Sequence, residues 1–312
     1  MTDKELIDWL LEGDVALQYQ VQRDLLGQDR LDLQARIETE GWGARFLSLR
    51  KSNGHWGRGF YQPKWTSSHY TLLDLRLLEL PGTNTAAREA VALIAEHEKG
   101  GDGGINPGKT IKQSDVCVNG MFLNYACYFG IDPQSLRSMV DFVLDQRMPD
   151  GGFNCQKNRK GARHSSMHST ISVLEGMLEY ERRGYTYRLA EFRAAAEAGR
   201  EFLLMHRLYL SDRTGEIIDS KFLMLSFPGR WRYNILRALD YFRDAGIPWD
   251  ERLRPALETL LGKRRHDGRW PLQARHPGQT HFEMEEPGQP SRWNTLRALR
   301  VLKRYRPSLD LA

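Results

Sequence analysis

The sequence predicts an all-α fold, an (α/α)6 toroid of six inner and six outer helices forming one domain over residues 1–312. Three observations predict it. Gly-containing turns ending in an aromatic residue or Ile recur along the chain, and each is followed by an apolar helical segment. Amphipathic segments with apolar residues three and four apart separate these units. No segment alternates with period two for long enough to suggest a sheet.

Taken in order, the chain opens with the amphipathic segment Leu6 to Leu11 and an apolar one at 19–26 that lacks its turn. The second unit has the amphipathic segment Ala44 to Leu49, the turn Asn53 to Trp56 and the apolar segment 70–75. The third has Ala86 to His97, Asp102 to Ile105 and 122–126. The fourth has Pro133 to Arg147, Asp150 to Phe153 and 173–178. The fifth has Leu189 to Met205, Thr214 to Ile217 and 235–239, and the sixth has Pro255 to Lys263, Asp267 to Trp270 and 295–299. The turn glycines Gly54, Gly103, Gly151, Gly215 and Gly268 are 49, 48, 64 and 53 residues apart, the size of a two-helix unit. Pro133 and Pro248 stand at or just before helix starts, and Gly130, Gly184 and Gly246 just after helix ends. Six units suffice to close a ring, which favours the toroid over an open solenoid. In a toroid the turns gather at one end, so residues at the starts of inner helices face a central cavity.

Composition narrows the function. Hydrophobic residues make up 40% of the chain, and no apolar run approaches the roughly 20 residues needed to span a bilayer. The amino terminus is acidic and amphipathic rather than signal-like, so a cytoplasmic location is expected. Three cysteines are too few for a disulfide framework and suit a reducing compartment, which leaves free thiols as ligands. The net charge of +5 is spread over many segments, favouring a small anionic substrate over nucleic acid.

The candidate chemistry lies in the third and fourth units. Six residues before Leu123 stands Cys117, and six before Leu174 stands His168, so a thiol and an imidazole share one rung of adjacent helices. With Asp115 they supply the thiolate, imidazole and carboxylate that Zn²⁺ takes in a catalytic site with one open position. The helices would pass about 8–10 Å apart, a gap two side chains can close. Cys155 and His164 are additional or substitute ligands. The competing reading makes Asp115 a helix N-cap and the Cys and His ordinary packed residues. Cys127, ten residues further along, reads as core. Lys109 and Lys112 upstream of Asp115 would hold a diphosphate and stabilise its departing charge, whereas Arg159 and Lys160 read as a solvated basic loop. Trp56, Tyr61, Trp65, Tyr70, Trp231, Tyr233 and Trp293 would line an apolar funnel for a hydrocarbon, or serve as ordinary packing.

These turns and inner segments resemble the repeats of protein prenyltransferase beta subunits and of squalene and oxidosqualene cyclases, over nearly the whole chain. The centre is most similar to a prenyltransferase beta subunit, whose zinc is held by an Asp-x-Cys pair and a His of the next repeat. The resemblance implies Asp115, Cys117 and His168 as metal ligands and catalytic centre. It implies Lys109 and Lys112 as diphosphate contacts and Mg²⁺ accompanying a diphosphate substrate; Trp65 and Tyr70 of the aromatic set and His69 are the expected substrate contacts, although a family His of the preceding repeat aligns nearest Ser67 rather than His69. It also implies a separate protein subunit as partner. Val118 and Met167 depart from the family, which has tyrosines at both places, and the cyclases' Asp-x-Asp-Asp motif is missing. The leading expectation is a zinc-dependent prenyltransferase-like enzyme acting on an isoprenoid diphosphate or thiol in a central cavity. The alternatives are a cyclase-like or glycan-active enzyme using Asp74, Glu175 or the acidic loop around Glu283, Glu285 and Glu286, and a non-catalytic toroid that binds a lipid or a protein.

Overall fold

The computed structural model describes residues 3–108 and 111–309, and these are predominantly helical. All twelve segments expected from the sequence form helices. The amphipathic class comprises α1 (Asp3–Leu11), α4 (Gly41–Ser48), α6 (Thr85–His97), α8 (Pro133–Asp145), α11 (Leu189–Met205) and α13 (Arg254–Gly262). The apolar class comprises α2 (Val15–Asp24), α5 (Ser68–Leu77), α7 (Val116–Tyr128), α10 (Met167–Arg182), α12 (Ile235–Asp244) and α14 (Arg292–Leu309). Two short helices were not expected, α3 (Leu31–Arg36) and α9 (Gln156–Lys160). A two-residue antiparallel pair also forms, β1 (Trp270–Pro271) with β2 (Pro290–Ser291), in the register Trp270 to Ser291.

The described residues fall into two compact units. One contains those of Met1–Arg45, Leu204–Pro277 and Phe282–Ala312; the other contains Phe46–Leu203 and Gly278–His281. In the second unit α5 packs on α7 and α7 on α10, while α8 covers α7. In the first unit α2 and α12 both pack on α14, with α1 against α2 and α13 against α12. Helix α7 is buried around almost its whole circumference, as an apolar helix inside a core must be. No helix among the described residues is long and apolar enough to cross a membrane.

The recurring turn has a common geometry that explains its sequence. Gly54, Gly103, Gly151 and Gly268 have φ between +83° and +95°, a region costly for residues with a Cβ. Each donates its N–H to the carbonyl three residues earlier, those of Lys51, Gly100, Met148 and Arg265, at 2.9–3.1 Å. The residue that follows the turn is buried and donates its N–H to a side chain of the next apolar helix. Trp56 bonds Ser68 at 3.0 Å, Ile105 bonds Asn119 at 2.7 Å, Phe153 bonds Thr170 at 3.0 Å and Trp270 bonds Thr295 at 3.0 Å. These bonds satisfy amides that burial would otherwise leave unpaired, and they fix each turn on the helix it precedes. The Thr214 to Ile217 turn differs, as its irregular spacing hints: Ile217 is 48% exposed and enters no core.

Candidate functional site

Helices α7 and α10 meet backbone to backbone. A Cβ added at Gly120 would stand 2.6 Å from the Ser172 carbonyl oxygen, and one added at Gly176 would stand 2.3 Å from the Gly120 carbonyl oxygen. Only glycine permits so close a crossing. Further along, the Asn124 side-chain amide donates to the Glu175 carbonyl at 3.2 Å. Partners 51 and 52 residues apart run in parallel register, so the rung that holds Cys117 on α7 is level with His168 and Ser169 on α10.

At this junction the structure corrects the expectation of free thiols. Cys117 and Cys155 are joined in a disulfide across 38 residues, with their Cα atoms 6.1 Å apart. Cys155 precedes α9 in the loop leading to α10. Its N–H donates to the Ser169 hydroxyl at 3.1 Å, and its sulfur receives the Cys117 N–H at 3.1 Å and the Ser169 hydroxyl at 3.4 Å. The loop is anchored by Asp150, which accepts the Ser165 N–H at 2.8 Å and also the Ser165 hydroxyl. Asp102 does the same for Ser114 before α7, at 2.6 and 2.8 Å. Cys127 is buried, and burial pushes its thiol well up; it is a core residue, as expected.

Asp115 occupies the N-cap position of α7, yet its side chain makes no capping bond. Its carboxylate instead pairs with the Arg159 guanidinium, so Arg159 is not the purely solvated residue the sequence suggested. Burial raises the Asp115 carboxyl above its ordinary value, against the opposing pull of Arg159 and Lys64. Lys64, in the 3-10 turn Lys64–Thr66, thus joins the charges acting on this carboxylate, a residue the sequence reading missed. His168 begins α10 half-buried, and its carbonyl accepts the Ser172 hydroxyl at 3.0 Å. His164 stands apart as a ligand candidate: its side chain is 92% exposed and lies 4.0 Å from Asp150. Lys112 is exposed, and Lys109 lies outside the described residues.

The expected substrate contacts Trp65, His69 and Tyr70 are buried in a packed aromatic cluster rather than lining an open funnel. The Trp65 and Tyr70 ring centroids are 4.8 Å apart, as are those of His69 and Tyr70. Tyr61 reaches the Tyr70 hydroxyl at 3.2 Å, and burial raises its phenol. His69 Nδ1 meets the Tyr125 hydroxyl at 3.0 Å, while its buried Nε2 has no hydrogen-bond partner. Burial, reinforced by the Lys64 charge, pushes the His69 imidazole down to about 3. Trp56, Tyr233 and Trp293 are likewise buried. The Trp56 indole donates to the Phe46 carbonyl at 2.7 Å, a structural bond that Trp270 repeats with the Leu260 carbonyl, also at 2.7 Å.

Among the carboxylates considered for cyclase-like or glycan chemistry, Asp74 is buried in α5. Glu285 serves as a cap for α14, accepting the Trp293 N–H at 3.2 Å and the Ser291 hydroxyl.

The site offers the donor types zinc takes, namely thiolate, imidazole and carboxylate, but not in the arrangement zinc needs. The two sulfurs are bonded to each other and Arg159 occupies Asp115. Among the described residues no three His, Cys, Asp or Glu side chains are grouped to hold a metal ion. No family model matches this sequence, and no curated protein does, so the functional reading rests on the residues themselves.

Proposed function

We propose that the protein is a zinc-dependent, prenyltransferase-like enzyme built as an (α/α)6 toroid, with its centre at the starts of α7 and α10. The observation that supports this reading is the close approach of α7 and α10 at Gly120 and Gly176, which sets the helix start carrying Asp115 and Cys117 level with the one carrying His168. In the dithiol form Asp115, Cys117 and His168 would hold the ion, which would supply an activated thiolate from a bound thiol substrate. Arg159 and Lys64 bring positive charge to Asp115, matching a diphosphate leaving group, with Lys112 as a further contact in this reading. Release of Asp115 from Arg159 would free the carboxylate for the metal and the guanidinium for the anion. The isoprenoid diphosphate is the hydrophobic, anionic substrate of this reading, and a separate subunit belongs to it as a partner.

The test is elemental analysis of reduced, untagged protein, followed by assay with a prenyl diphosphate and a thiol. About one zinc per chain is expected in wild type, with loss in both Cys117→Ala and His168→Ala and no turnover in the stripped protein. Wild type that takes up no zinc after reduction and zinc supply, or turnover that survives Cys117→Ala, would overturn this reading.

A further inference from the structure

We propose that Cys117 and Cys155 form a reversible redox pair, closed by a small-molecule disulfide and opened by a small-molecule thiol, that controls the availability of the Cys117 thiolate. The geometry of the pair supports exchange. The 6.1 Å Cα separation lies within the span a disulfide bridges without backbone movement. Both cysteines are only half-buried, whereas Cys127 is sealed in the core.

The surroundings of Cys155 suit an attacking thiolate. Its sulfur receives the N–H of Cys117, in the first turn of the thirteen-residue helix α7, and the hydroxyl of Ser169. Backbone N–H groups at a helix start and a neighbouring hydroxyl stabilise negative charge on sulfur.

Other ties hold the same elements. The contact between Gly120 and Gly176, the Asn124 bond to α10 and the turn bonds to Asn119 and Thr170 hold α7, α10 and their loops together without the disulfide. A bond between parts already positioned can open and close without unfolding the protein.

Exchange proceeds in two balanced steps. The Cys155 thiolate attacks a disulfide RSSR, forming a mixed disulfide and releasing one RS⁻. The Cys117 thiolate then attacks the Cys155 sulfur, forming the internal bond and releasing the second RS⁻. The two protons lost by the cysteines end on two RSH molecules, and RSSR is the oxidant reduced. The reverse sequence opens the pair.

The experiment equilibrates the full chain in buffers of reduced and oxidised glutathione over a wide range of ratios, quenches with acid, unfolds and alkylates. Intact mass then counts free thiols. Wild type should move from three alkylated cysteines at reducing ratios to one, Cys127, at oxidising ratios, and back again. Cys117→Ser should lose this transition and retain one glutathione on Cys155. Three alkylated cysteines at every ratio would overturn the pair, and one even in excess dithiothreitol would make it a fixed staple and overturn the reversibility. The consequence for zinc rests on the function proposed above: reduced protein should bind it and oxidised protein should not. Equal zinc in both forms would overturn the control of Cys117. Zinc in neither would remove the proposed function, while the thiol count still decides the redox pair.

Discussion

The helix pair α7–α10 and the helix pair α12–α14 are built from the same turn-and-helix repeat but are joined by opposite means. At α7–α10 the backbones touch at Gly120 and Gly176, and the buried charge is confined to the far end of the pair, where Glu179 of α10 binds Arg76 of α5 and Arg183 over the Tyr128 ring. At α12–α14 the junction is ionic: Asp240 accepts Arg300 Nε at 2.7 Å and Arg297 Nε at 3.0 Å, with Arg243 at 2.9 Å on the same carboxylate. Burial alone would raise the Asp240 carboxyl, but Arg300, Arg243 and Arg297 outweigh it and hold the group far below the carboxylate range. Arg300 extends the network to Asp24 on α2 at 3.1 Å. The difference teaches where chemistry can sit in such a repeat. Long arginines fill one junction and fix it, whereas glycines draw the other pair close enough for short side chains at the helix starts, Cys117 and those around it, to meet.

The largest effect expected from breaking this contrast is at the ionic junction. Asp240→Ala leaves Arg297 and Arg300 buried without their carboxylate, and should cost about 3–5 kcal/mol, read from urea unfolding of the whole chain. A cost below about 1 kcal/mol would show that water reaches the network.

A smaller loss is expected at the glycine junction. Alanine normally gains about 0.5–1 kcal/mol over glycine within a helix. At Gly176 its methyl would meet backbone 2.3 Å away, which cannot yield as a side chain can. Gly176→Ala should therefore lose about 1–3 kcal/mol net and reduce the yield of the Cys117–Cys155 bond. Gly199→Ala sharpens the comparison, since its nearest neighbour is the Leu174 Cδ2 methyl at 3.0 Å. It should be milder and leave the bond intact. Equal losses would argue against a backbone contact at Gly176.

The most gradual effect, spread over several pH units, is a pH slope from the apolar side of the comparison. His69 is held down to about 3 from an ordinary 6.5. Between these values the unfolded chain binds a proton that the folded protein does not. The stability contributed by neutral His69 is thus present above about 6.5 and is lost as pH falls towards 3, by about 1.4 kcal/mol per pH unit. His69→Gln keeps a partner for Tyr125 but cannot titrate there. Its stability should fall less steeply than wild type between about pH 6 and about pH 4, measured by denaturant unfolding. Parallel slopes would mean that His69 protonates in the folded protein.

Much of the helical plan was legible because periodicity and turn chemistry are local. The spacing of apolar residues announced the twelve repeat helices but not the short α3 and α9, and Gly103 and Gly151 announced turns whose φ they alone accept at low cost. The alignment of Cys117 with His168 also followed from repeat spacing, because parallel helices preserve register. Other features were hidden for identifiable reasons. Gly120 and Gly176 sit inside apolar helices, where a glycine can equally mark a weak point or a close approach. Arg159 resembled any loop cation until the fold set it beside Asp115. Cys155 was visible as a donor, but nothing in its spacing from Cys117 distinguishes a ligand from a covalent partner. The aromatic residues before the helices suggested a funnel, yet Trp65 and Tyr70 turned inward because large rings gain most from full burial.

The sequence by itself thus determined the succession of amphipathic and apolar helices, their turns and the rung on which a thiol and an imidazole stand. These depend on intervals of three to six residues and on the steric freedom of glycine. Only the tertiary structure decided that the Cys117 sulfur meets Cys155, that Arg159 takes Asp115 and that Asp240 gathers three arginines. Those pairings depend on how closely two helices approach, a distance set by packing between residues far apart in the chain.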